Sequence, residues 1–226
     1  MLNDQQIQRY SRQIILPQVG GRGQETLLAA SIAIVGSNGL STAAAMYLAG
    51  AGVGRLALST PAPLSAIDGL NPDCRITALP ALLTRAGADA VVRCDTVLMC
   101  GPAFEGWQML NAAGVAQRTP IVWGATARAR GCVAVLAGRG TEPSCHACVQ
   151  TQAAQLLSGG DACDRLADAT AAFVGTLLAT EALKILIGLD AAPVASFLTY
   201  DAGAGVIDEV AFSRDARCRV CGVSDA

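Results

Sequence analysis

The sequence predicts an α/β protein: a Rossmann-like, mostly parallel sheet with helices on both faces, and a C-terminal extension pinned by zinc. Three observations predict it. Short, wholly apolar runs such as Ser31-Ile32-Ala33-Ile34-Val35 and Thr96-Val97-Leu98-Met99 suit parallel strands buried on both faces. These runs alternate with stretches of helical length, the β-α-β order that builds a parallel sheet. Two Cys-x2-Cys knuckles, Cys145/Cys148 and Cys218/Cys221, bracket the C-terminal third. With 226 residues, 52% hydrophobic and only 4% aromatic, the chain can bury a sizeable, close-packed aliphatic core.

Residues 4–16 read as a short helical arm, with Asp4 as its cap and Pro17 and Gly20-Gly21 ending it. A second short helix covers 24–30. Strand 31–35 runs into Gly36-Ser37-Asn38-Gly39-Leu40-Ser41 and a small-residue helix over about 42–51; Leu56-Ala57-Leu58 completes a βαβ unit. The segment Thr60–Asn71, with Pro61, Pro63 and Gly69, leaves room for about one turn where a parallel crossover takes about a dozen residues or more. Ile76–Leu79 is a weak strand and 81–93 a weak helix. Strand 96–99, helix 104–117, strand 120–123 and strand 131–136 follow. Residues 164–187 form a long helix with Glu181 and Lys184 on one face, and 197–200 with 206–212 form a terminal hairpin. The expected organisation is one domain over 1–226. It comprises an arm (1–30), a Rossmann-like core (31–140) and a zinc-knuckle part with the C-terminal helix and hairpin (141–226).

Charge and composition exclude several classes. A formal net charge of −2 without a Lys/Arg block argues against a nucleic-acid surface. No apolar run reaches about 18 residues free of charges or turn signals, so no membrane span is expected. Nine cysteines without a signal peptide read as reduced thiols in the cytoplasm, some of them on metal. Of sixteen basic residues, Lys184 is the one lysine.

Each knuckle places two thiolates within reach of one ion, and the two together complete a tetrahedral, structural Zn²⁺ site of Cys145, Cys148, Cys218 and Cys221. The competing reading is a set of unrelated buried or redox thiols. Thioredoxin-type chemistry is disfavoured because neither pair is placed after a strand at a helix start. His146, the one histidine, is expected on a surface loop, which nearly excludes Ser-His-Asp or Cys-His catalysis. The stretch Ser31–Ser41 has the strand–turn–helix context of a nucleotide loop, with Gly36, Asn38, Gly39 and Ser41 as its candidate residues. Asn38 and Ser41 replace the second and third glycines of G-x-G-x-x-G, and Leu58-Ser59-Thr60 carries no ribose-binding acid. A βαβ turn that has weakened its nucleotide is an equal reading.

The arm Arg9-Tyr10-Ser11-Arg12-Gln13 resembles the R-Y-x-R-Q arm of the ThiF/MoeB/HesA family, ubiquitin-activating (E1)-like enzymes that adenylate the C-terminus of sulfur-carrier proteins. Ala51-Gly52-Val53-Gly54-Arg55-Leu56, the knuckles, Glu181-Ala182-Leu183-Lys184 and Tyr200-Asp201-Ala202 match in the family's order. The resemblance implies an E1-type adenylation fold, ATP and Mg²⁺ as cofactors, and a ubiquitin-like carrier as partner. It also implies a homodimer, or a heterodimer with an active paralogue. Arg12 falls at the family's arginine finger, donated in trans to the partner's ATP; the alternative is a surface arginine. Cys163, in Asp161-Ala162-Cys163-Asp164, falls where relatives carry a sulfur-transfer cysteine, although flanking carboxylates raise a thiol's pKa.

The departures bear on activity. The segment that carries the family's ribose acids, Asn, Arg-Gln pair and Lys is collapsed into Thr60–Asn71, and no lysine precedes Lys184. The Mg²⁺-binding Asp after strand 96–99 is replaced by Pro102. Removing one such electrostatic group costs roughly 10²–10³-fold in rate. The sequence therefore favours an adenylation-deficient binding or dimer partner, with ATP and Mg²⁺ doubtful, over a divergent active adenylyltransferase; a Rossmann oxidoreductase is a distant third. Arg128 and Arg130 either face an acidic partner tail or solvate a strand edge. Cys74, Cys94, Cys100 and Cys132 are expected to pack as small hydrophobes.

Overall fold

The computed structural model describes residues 1–36, 39–59, 67, 69–79, 84–101, 106–136, 144–158, 164–189 and 195–222. Its frame is one eight-stranded sheet. The strands are β1 (Ser31–Val35), β2 (Arg55–Leu58), β3 (Arg75–Ala78), β4 (Thr96–Cys100), β5 (Ile121–Ala127), β6 (Arg130–Leu136), β7 (Ser196–Asp201) and β8 (Val206–Ala211). Their order is β3-β2-β1-β4-β5-β6-β7-β8. The first five are parallel and the last three antiparallel. The described helices are α1 (Asp4–Ile14), α2 (Gly20–Ala29), α3 (Gly39–Ala51), α4 (Arg85–Val91), α5 (Trp107–Gln117), α6 (His146–Ser158) and α7 (Ala167–Ile187).

Strand alternation divides the core into two layers. Ile32, Ile34, Leu56, Leu98 and Val122 face α3 and α7. Ala33, Val35, Val97, Met99 and Trp123 face the layer that includes α4, α5 and α6. Helix α7 is long and apolar enough to cross a membrane; here Ala171, Val174, Leu178 and Ala182 form a stripe buried in the first layer. Its Glu181 is buried and receives the Lys184 ammonium at 2.9 Å, the pairing expected from their i, i+3 spacing.

Several boundaries differ from the sequence reading. Asn3, not Asp4, caps α1: its side chain accepts from Gln6 N, and the Gln6 side chain accepts from Asn3 N, a reciprocal box. Gly20 and Gly21 do not close the arm; they open α2. Helix α3 begins at Gly39, and β5 and β6 form a tight hairpin turning at Arg128 and Ala129, with Arg128 at φ 56°. The largest omission is α6, which the sequence reading left without an element. Residues 60–66, 68, 81–83, 104–105 and 137–143 lie outside the described residues, so most of the short crossover is among them.

The arm docks on its own chain. Tyr10 is 1% exposed, lies over Gly52, and its hydroxyl donates to Asp73 Oδ2 at 2.9 Å while accepting from Asn71 Nδ2 at 2.8 Å. Asn71 Nδ2 also donates to Ala49 O, and Arg9 pairs with Asp73 at 3.3 Å. Burial, opposed by the Asn71 bond and reinforced by Asp73, pushes the Tyr10 phenol up to about 12. Because the folded state holds this proton more tightly, the stabilisation is complete below about pH 10 and is lost as pH rises through the folded value. Tyr10→Phe should cost about 1–2 kcal/mol in urea unfolding near neutral pH. The gap to wild type should narrow above about pH 10.

Candidate metal centre and nucleotide crevice

Four thiols from two distant chain segments meet at one point. Cys145 immediately precedes α6 and Cys148 lies in its first turn, with Cys148 N donating to Cys145 O at 3.0 Å. Cys218 and Cys221 sit in a knuckle after β8, where Cys218 N donates to Asp215 O and Gly222 N to Cys218 O. The Sγ···Sγ separations are 3.9 Å (Cys145–Cys148), 3.7 Å (Cys145–Cys218) and 3.4 Å (Cys148–Cys221), and all four lie within 4.8 Å of one another. Zn–S bonds of about 2.3 Å in a tetrahedron put sulfurs about 3.8 Å apart. A disulfide would need about 2.05 Å. The cluster can hold a metal ion such as zinc, and its four ligands leave no open position for catalysis. The placement corrects one expectation: the first pair does stand at a helix start, but its partners are the second pair.

The thiols are not equivalent. Burial pushes Cys145 up, opposed by hydrogen bonds from Asn111, Cys148 and Cys221; burial likewise raises Cys221. At Cys218 burial also raises the thiol, but the backbone N–H groups of Cys221 and Val220 outweigh it and bring it down to about 7. Protons therefore compete with the metal, and loading is pH-dependent.

His146 is not a surface residue. It opens α6, is 6% exposed, and its ring lies 5.2 Å from both Trp107 and Trp123. Burial lowers its pKa to about 4, so the ring is neutral near pH 7. Asn111 Oδ1 accepts from His146 N at 2.9 Å. Both tryptophans lie on core elements, and only the fold reveals that they flank the knuckle.

The nucleotide crevice would lie where the strand order reverses, between the C-terminal ends of β1 and β4. Gly36 has φ +130°, and a Cβ there would stand 2.2 Å from the Cys100 carbonyl oxygen, so only glycine fits. Its N–H donates to Ser59 Oγ at 2.9 Å, and that hydroxyl donates back to Gly36 O at 3.2 Å. Gly39 and Ser41 lie in the first turn of α3, with Ser41 buried. Ser37, Asn38, Pro102 and Cys163 lie outside the described residues.

Arg12 is exposed in the last turn of α1, whereas Arg9 and Tyr10 are bound to the chain's own body. Arg130 pairs with Asp201 at 3.0 Å across β6 and β7, which accounts for one half of the Arg128/Arg130 pair. Cys100 and Cys132 are buried, and Cys74 and Cys94 pack against the two core layers, as expected of small hydrophobes. Burial pushes Cys74 up to about 11, and Cys100 and Cys132 up to about 12.

A five-stranded parallel sheet with a reversed strand order, an antiparallel extension and a four-thiol cluster defines an E1-like α/β protein. Residues 10–59 and 62–220 match the ThiF family, and the chain belongs to it. It is 33% identical over 255 residues to the sulfur carrier protein ThiS adenylyltransferase of Escherichia coli (strain K12), covering 100% of this chain and 99% of the relative. It is 34% identical over 251 residues to the molybdopterin-synthase adenylyltransferase of the same organism, covering 98% of each. Among solved structures, Escherichia coli MccB with MccA-N7isoASN superposes with a TM-score of 0.75 at 14% identity, over 98% of this chain and 76% of that one. PaaA gives 0.74 at 15% identity, over 93% and 84%. These two likenesses concern the fold.

Two outcomes test this geometry. Cys145→Ser should abolish one-per-chain zinc binding, read by atomic emission, and lower stability by more than about 3 kcal/mol. Gly36→Ala should destabilise the chain by more than about 2 kcal/mol in chemical unfolding, because positive φ and the Cys100 carbonyl both oppose a methyl group.

Proposed function

We propose that this protein acts in activation of, or sulfur transfer to, a ubiquitin-like sulfur-carrier protein. In this reading it binds the carrier and dimerises, and its own adenylation chemistry is lost or weak. The observation that carries the reading is the double hydrogen bond between Ser59 and Gly36. The first backbone N–H that a nucleotide loop would offer to phosphate is taken. The group that takes it is a neutral hydroxyl at the end of β2, where a nucleotide site wants a ribose-binding acid. Adenylyl transfer needs cations and Mg²⁺ ligands around the phosphates. This sequence has Pro102 in place of the expected carboxylate and no lysine before Lys184. The family match also breaks between residues 59 and 62, where the crossover is short.

Zinc would be held by Cys145, Cys148, Cys218 and Cys221, supplying a cross-link between α6 and the end of the chain. Arg12, exposed in the last turn of the arm helix, would be donated to a partner subunit, where its planar fork suits phosphate oxygens. Cys163, at the position of the family's sulfur-transfer cysteine, would carry the sulfur. Similarity at 33–34% identity over nearly the full length of two adenylyltransferases supports a second reading, a divergent active adenylyltransferase.

Carrier-dependent ATP–pyrophosphate exchange separates the two. The proposal expects exchange at least about 10³-fold below that of an intact family member with the same carrier, alongside retained carrier binding. Exchange within tenfold of the intact enzyme would establish the active reading instead. In a mixed dimer, Arg12→Ala should reduce the exchange catalysed by an active partner and leave carrier binding unchanged.

A further inference from the structure

We infer that Asn111 and Arg214 are the positioning residues of the thiolate cluster, one for each knuckle; the inference rests on the reading of the four cysteines as a metal site. Asn111 stands in α5 beside Leu110, Ala113 and Gly114, and is 2% exposed. A carboxamide buried there is unfavourable unless its polar atoms are used. Its Oδ1 is committed to His146 N at 2.9 Å, the first helical amide of α6. One amide therefore fixes the start of α6, next to the ligand Cys145.

Arg214 plays the corresponding part in the segment between β8 and the second knuckle. Its Nη2 donates to the Cys221 carbonyl oxygen. That hold uses the planar guanidinium of arginine, a geometry lysine lacks. Cys145 and Cys221 are the two buried members of the quartet. A divalent ion with four thiolates leaves a net double negative charge, and the two buried sulfurs have least water to disperse it. Asn111 and Arg214 hold the backbone at these two positions and so orient the ligands from outside the cluster, as outer partners do in metal sites generally.

A purely structural role would move stability alone, so the test reads the metal. Asn111→Leu removes the acceptor for His146 N in a side chain of similar size. Arg214→Met removes the fork from a half-buried position with little effect on the core. Full-length protein loaded with zinc is titrated against a chromogenic chelator. Cobalt-loaded protein is read by its thiolate-to-metal charge-transfer and d–d bands. Each variant should bind zinc about 10–100-fold more weakly and shift the cobalt d–d bands, with Arg214→Lys only partly rescuing. Affinities within twofold of wild type for both folded variants would overturn the assignment while leaving the metal site intact. Wild-type protein that holds no zinc would overturn the metal reading and this inference together. If Asn111→Leu does not fold, judged by circular dichroism, Arg214→Met decides.

Discussion

Gly175 brings the backbones of α3 and α7 closer than any side chain would permit: a Cβ there would stand 2.4 Å from the Leu40 carbonyl oxygen. The same helix lies flat on the sheet because β6 presents Gly131, where a Cβ would stand 2.3 Å from Val174 Cγ2. These contacts fix α7 on two surfaces at once, and Ala171, Val174, Leu178 and Ala182 fill the space that remains. Close approach of small residues gives many dispersion contacts without large side chains. It accounts for a core that is aliphatic and poor in aromatics.

That closeness shapes the crevice. The first turn of α3 is held against α7, with Gly39 abutting Ala171, and Gly36 is held against the Cys100 carbonyl. Among the described residues beside it, Ser41 is buried and Ser59 is bonded to Gly36. A helix N-terminus still offers a partial positive charge to an anion. On the reading proposed here, it does so without the charged side chains that turn anion binding into phosphoryl chemistry.

Strand β1 could be read to the residue because a five-residue apolar run bounded by Gly36 has one physical solution, a strand buried on both faces. The four ligands could be read because thiolate spacing is local chemistry that needs no knowledge of the fold. Helix α6 could not, because its opening residues are Cys145, His146 and Cys148, whose chemistry suggests a loop, and its amphipathic signal is weak. The environment of His146 was hidden for a different reason. Trp107 and Trp123 come from α5 and β5, and only tertiary packing brings them to the ring. Asn3 and Asp4 are both good capping residues, and Asn3 prevails because the residue three places on is Gln6, which returns the bond, whereas Asp4 would face Ile7.

Apart from the glycines that follow β1, the residues that hold the fold are not those that would hold a nucleotide. Helix α7 is seated by glycines and an aliphatic stripe, and the arm is seated by Tyr10, Asn71 and Asp73. The chain end is seated by four thiols backed by Asn111 and Arg214. Among the described residues, none of these contacts uses the end of β2, where a ribose-binding acid would stand. On the reading proposed here, that separation let Ser59 take the place of an acid while the arm, the sheet and the metal knuckles were retained.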